Sequence, residues 1–219
     1  MDDAHLSSAL NAAKIFAASA KKVLSTEDGV HIETLISSIS RVAGSMMYRS
    51  FALDENIKPD IKPGTHVLSE QANIYGPHMM NILLTTLQKL GTPLHEGDMH
   101  PDYATAKFSQ LSFQESSERL GPFFMAYCEA ASMSHLEAAM AAAMAAALTI
   151  YDYRDTLAVE KGASIAVFGF VEGTKTAPYP VAIPISTALS TTIAPSTSIP
   201  ILPTPVQAEP AKKRWYQFW

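Results

Sequence analysis

The sequence is short of charge, of cysteine and of catalytic motifs, and each shortage narrows what the chain does. Charged residues make up 17% of its 219 residues. That is below the usual quarter, so much surface is expected to be buried against something else, which points toward an assembly. The formal net charge of −5 offers no general attraction to a phosphate backbone, and no run of Lys or Arg interleaves with aromatics before the last eight residues. Nucleic acid is therefore not expected as a partner. The single cysteine, Cys128, has no partner within the chain and suits a reducing compartment; the acidic start MDDAHLSSAL lacks the basic and apolar regions of a signal peptide. A cytoplasmic setting is expected.

Chemistry-bearing patterns are equally sparse. No HExxH or EF-hand spacing occurs, and Cys128 and His135 lie two helical turns, about 10 Å, apart if their helix is continuous. His66, His78 and His135 are scattered. The stretch GFVEGTKT from Gly169 resembles a phosphate-binding loop only loosely, because its glycines are one residue too close, Thr174 precedes Lys175, and prolines follow where a helix must begin. A turn that launches the following segment explains those glycines as well. No cofactor is implied.

What is present is helix. Ser134 to Tyr151 reads SHLEAAMAAAMAAALTIY, with Ser134 and Glu137 spaced as a capping box and Met140, Met144 and Leu148 recurring along one ridge after Leu136. Such a stretch is apolar nearly all round, as a helix buried on several sides must be. Its uncharged part, Ala138 to Tyr151, is shorter than the roughly 20 residues a bilayer requires. Earlier, Leu6, Leu10, Ala13, Ala17, Ala20 and Leu24 mark one face of a first helix. Ser25 to Asp28 reads as a stop and a new cap, and Ile32 to Phe51 as a long second helix. A third starts at a Ser69 cap, with Gly76-Pro77 expected to kink or restart it, and a similar spacing returns from Leu111-Ser112 to Gly121-Pro122. The apolar stretch 162–171 fits strand or buried helix by pattern; without a strand partner elsewhere, helix is preferred.

The expected fold is all-α, a bundle of about six helices around the Ala/Met-rich helix, with an extended Pro-rich C-terminal arm. Residues 1–160 form the bundle, 161–175 an apolar connecting segment, and 176–219 the arm. From Thr176 to Ala208 there is no charge, and seven prolines fall between Pro178 and Pro205, which forbids helix and central strand. Branched aliphatics are spread along it, including Ile183, Ile185, Ile199, Ile201 and Leu202, and on a polyproline-like backbone these side chains need a groove. The chain ends in three cations and then Trp215, Tyr216, Phe218 and Trp219. With Arg214, these are anchors for a protein partner or a second copy, or, less favoured, for an anionic membrane surface.

Two functions are expected from these features. The first is a non-enzymatic interaction or assembly subunit that engages a neighbouring chain through its arm. The alternative is a metal-dependent enzyme or small-ligand-binding protein built on the loop Leu94 to Tyr103, where His95, Glu96, Asp98, His100 and Asp102 collect imidazole and carboxylate donors within a few residues. Gly97 and Pro101 give that loop little frame for converging ligands.

Overall fold

A computed structural model describes residues 3–52, 61–67 and 70–181, and of residues 3–6, 52 and 96 the backbone only. Six helices pack together: α1 (Asp3–Leu24), α2 (Ile32–Ala52), α3 (Glu70–Lys89), α4 (Phe113–Ala130), α5 (His135–Asp152) and α6 (Val159–Thr174). Short 3-10 turns at Glu96–Asp98, Pro101–Tyr103 and Ala106–Phe108 join α3 to α4. Among the described residues there is no strand, only isolated bridges at Thr26–Gly29 and His66–Thr176. No described helix is long and apolar enough to cross a membrane.

The Ala-rich stretch forms α5 as expected, starting at a Ser134 cap whose hydroxyl accepts from the Glu137 N–H at 3.2 Å while the Glu137 carboxylate accepts from the Ser134 N–H at 2.8 Å. Its alanines from Ala138 to Ala147 are all buried. The Met ridge, however, lies toward the edge of the buried face: Met144 is buried, Met140 and Leu148 are half-buried and Leu136 is 41% exposed. Methyl-lined faces allow neighbouring backbones to come close, so the thick side chains are left for the rim where there is room. α5 touches every other helix, and so does α2.

The burial of α2 is the larger surprise, because its sequence is half polar. Every residue from Thr34 to Tyr48 is buried, Ser37, Ser38, Ser40, Arg41 and Ser45 included. Hydrogen bonds compensate most of that polarity: Ser40 Oγ donates to Ile36 O at 2.8 Å, and Ser38 Oγ lies 3.0 Å from Ser116 Oγ of α4. The start of α2 also differs from expectation. α1 ends at Leu24, Thr26 to Gly29 form a tight turn with Gly29 at φ 105°, and the cap comes from His31, whose Nδ1 accepts from the Thr34 N–H at 3.3 Å.

The packing departs from part of two further expectations. Of the face expected on α1, Ala13, Ala20 and Leu24 are buried, together with Ala9, Ala12 and Phe16; Leu10 and Ala17 are only half-buried, and the side chain of Leu6 lies outside the described residues. Phe16 stacks on Phe124 of α4 at 4.0 Å, and that aromatic contact sets the rotation of an otherwise alanine-lined helix. The Gly-Pro pairs do not end helices. Pro77 lies inside α3 and Pro122 inside α4. A proline disfavours helix in the residue before it partly through that residue's Cβ, and Gly76 and Gly121 have none. The Ser69 cap and most of the Pro-containing loop after α2 lie outside the described residues.

The stretch 162–171 is helix, within α6, and it packs on α2. Gly169 and Gly173 are interior to that helix and face α2, so they neither cradle a phosphate nor form the turn expected of them.

Candidate functional site

Behind α6, the chain becomes extended and stays on the bundle. Val67 N–H donates to Lys175 O at 2.7 Å, Ala177 N–H to Thr65 O at 2.9 Å, and Gly64 N–H to Ala177 O at 2.8 Å, so 175–177 run antiparallel to 64–67. Thr176 and Ala177 are buried. One residue pair further, Arg49 at the end of α2 donates from Nη2 to Tyr179 O at 2.7 Å, and the Tyr179 ring sits 6.0 Å from that of Phe113. The strap then crosses α4 at Gly121, where a Cβ would stand 3.1 Å from a methyl of Val181. Burial draws the Arg49 guanidinium down from its ordinary range and, with the Arg49 charge as the second cause, lowers His135 as well.

Among the described residues, Ser45 Oγ on the floor of this groove is buried without a hydrogen-bond partner, and it lines a small, partly open pocket of about 10 Å³ bounded by Arg49, Ser117, Tyr179 and Val181. An orphaned hydroxyl costs about 1–3 kcal/mol relative to a satisfied one.

A second polar feature lies between α2, α6 and the chain leading into α4. Arg41, 1% exposed, donates from Nε to Glu172 Oε2 at 2.6 Å and from Nη1 to Leu111 O at 2.6 Å and to Ser109 Oγ at 3.0 Å. Thr34 Oγ1 accepts from the Gln110 N–H at 2.8 Å. These bonds pin 109–111 to α2. A single cation in the otherwise apolar and hydroxylic run Ile36 to Met47 was the signal, and by itself it does not say what it meets.

The loop with the five candidate ligands is held by its own short turns. Asp98 Oδ2 accepts from the His95 N–H at 2.7 Å, the His100 N–H donates to Ser164 Oγ of α6 at 3.1 Å, and Met99 is buried beneath. A groove of about 550 Å³ opens there, bounded by Asp98, His100 and Tyr103 on the loop and by Ala158, Glu160 and Lys161 at the start of α6. Lys161 is engaged, 3.1 Å from Glu33 Oε1 and over the Phe108 ring. Among the described residues no three His, Cys, Asp or Glu are grouped so as to hold a metal; the side chain of Glu96 is not among them. A smaller cavity of about 350 Å³ lies beside the α1–α2 turn, with His31, Gln110 and Arg119 on its wall.

Cys128 is inside the bundle, and burial pushes its thiol up to about 11, opposite to what a nucleophile needs. The partner-binding residues expected in the arm, Ile183, Ile185, Ile199, Ile201 and Leu202, and in the terminus, Arg214, Trp215, Tyr216, Phe218 and Trp219, lie outside the described residues. No family model, curated protein or solved structure matches this chain.

Proposed function

We propose that this chain is a non-enzymatic interaction or assembly subunit whose C-terminal arm engages a neighbouring chain. The observation that carries the reading is the strap: the bundle has a groove, between the end of α2, the 64–67 segment and α4, that receives an extended Pro-containing chain through backbone hydrogen bonds and glycine-lined contacts. Arm residues beyond Val181 repeat the same chemistry, Pro interleaved with Ile, Leu and Val and free of charge until Glu209. Such a segment loses little backbone freedom on docking and gains about 1.5–3 kcal/mol per buried aliphatic side chain. Arg214 and the four terminal aromatics have the composition of interface anchors. Exposed Ile74 and Tyr75 on α3 add apolar surface for a neighbour. A lone buried thiol suits a cytoplasmic setting.

Light scattering tests this directly. The full-length chain is expected to be an oligomer and a chain ending at Lys175 a monomer; a full-length chain of monomeric mass across the micromolar range removes the reading.

The loop groove favours a second reading, a binding site for a small ligand at His100 and Tyr103, with or without a metal. Elemental analysis of the purified chain separates the two: stoichiometric metal favours the loop, a metal-free oligomer the arm.

A further inference from the structure

We infer that the strap groove works between copies: two chains exchange the segment Thr176–Val181, so that each groove receives the extended segment of the other. This rests on the assembly reading above and names its partner, a second copy of this chain, and its receiving surface. What the groove recognises does not depend on which chain supplies it. The bonds from Gly64, Ala177 and Arg49 all end on backbone groups, and the two snug side-chain contacts, Tyr179 over Gly64 and Val181 against Gly121, come with the segment itself. The sequence shown to fit is this chain's own.

Two features favour exchange over permanent closure. The hinge has no slack: Lys175 is at once the C-cap of α6, its N–H bonded to Val171 O, and the acceptor for Val67 N–H. Short hinges of this kind invite swapping, because a small rotation there redirects everything beyond. Pro178 and Pro180 keep the released segment extended, which reduces the freedom lost when it docks again. Exchange preserves the contacts made by residues 176–181, leaving the bond from Val67 N–H to Lys175 O at the hinge and association itself as the remaining costs, so the equilibrium is set by protein concentration.

Cross-linking decides it. A Cβ built on Gly121 stands 4.0 Å from the Cβ of Val181, within the range a disulfide spans. Two full-length chains are made in a Cys128→Ala background, one carrying Gly121→Cys and the other Val181→Cys, and are mixed under mild oxidation. Each chain holds a single thiol, so a 121–181 bond forms only if the strap of one copy lies in the groove of the other. The expected result is a mixed covalent dimer on a non-reducing gel, several-fold above either chain alone and rising with concentration. Gly121→Cys places a Cβ before Pro122, so His66→Cys with Thr176→Cys, a directly opposed antiparallel pair, serves as a second reporter. Carrying both substitutions on one chain shows that the groove has formed. If light scattering gives a dimer but both pairs bond only within a chain, exchange is overturned and the assembly reading stands. A monomer with intrachain bonds overturns both.

Discussion

Gly44 and Gly173 meet backbone to backbone where α2 crosses α6: a Cβ built on either one stands 2.8 Å from the Cα of the other. The Gly44 Cβ would also stand 2.5 Å from Phe170 O. Both glycines cost helix propensity, about 0.5–1 kcal/mol each relative to Ala, and the close crossing is what that cost secures. It brings Arg41 on α2 against Glu172 on α6 and fixes where α6 ends, hence where the strap begins.

Gly173→Ala is accordingly expected to destabilise the chain although Ala is the better helix former. Overpacking against side chains costs about 1–3 kcal/mol, and here the obstacle is backbone, which cannot swing aside. A net loss of about 1–3 kcal/mol should appear as a lower urea midpoint with an unchanged slope. An unchanged or higher midpoint would mean that the helices separate at no cost.

Glu172→Gln should cost more. It leaves the guanidinium of Arg41 buried with neutral partners only, and breaking a buried pair by removing one member typically costs about 3–5 kcal/mol. Glu172 is partly open to solvent, which places the expected loss near the lower end. Replacing both residues, Arg41→Met with Glu172→Gln, should recover part of the loss, since no unpaired charge is then left inside. Urea unfolding of the single and double variants checks the sign of that coupling.

These two cases mark how far the sequence could be read. Local signals were legible: the Ser134–Glu137 capping box and the alanine run of α5 depend on neighbours in the chain, whereas 162–171 fits strand or helix by its own pattern and is preferred as helix only for want of a strand partner elsewhere. At Gly76-Pro77 and Gly121-Pro122 the helix continues rather than restarting, because the glycine before the proline relieves much of the clash. Phe16 and Arg41 were out of reach for another reason. Phe16 takes its orientation from Phe124, and Arg41 finds Glu172 far along the chain. The arm is extended where it is described, through Val181, but nothing local names 64–67 as the segment it pairs with.

Cys128 is expected to resist alkylation in the folded protein. Burial raises its thiol from 9.0 to about 11, so at pH 8 the thiolate fraction is about 100-fold below that of the unfolded chain. The buried side chain slows access further. Iodoacetamide labelling should be slow in buffer and rapid in urea, with its rate following the fraction unfolded. Fast labelling without urea would mean that the α4 region opens on its own.

The strap should contribute to the stability of the bundle, separately from any partner it finds. Ending the chain at Lys175 removes the acceptor of Gly64 N–H, the donor to Thr65 O and the acceptor of the half-buried Arg49, and uncovers the surface that Thr176 and Ala177 bury. At about 0.5–1.5 kcal/mol for each hydrogen bond, the loss is about 2–4 kcal/mol, or about 5–15 °C in Tm for a chain of this length. A chain ending at Val181 keeps these bonds and should melt close to the full-length protein at the same low concentration. Arg49→Leu supplies the sharper check. In the full chain it leaves Tyr179 O without its donor and should destabilise; in the chain ending at Lys175 it removes a cation that has already lost that acceptor, and should be neutral or stabilising. Additive effects of the substitution and the truncation would show that the bond from Arg49 to Tyr179 O does not hold the strap.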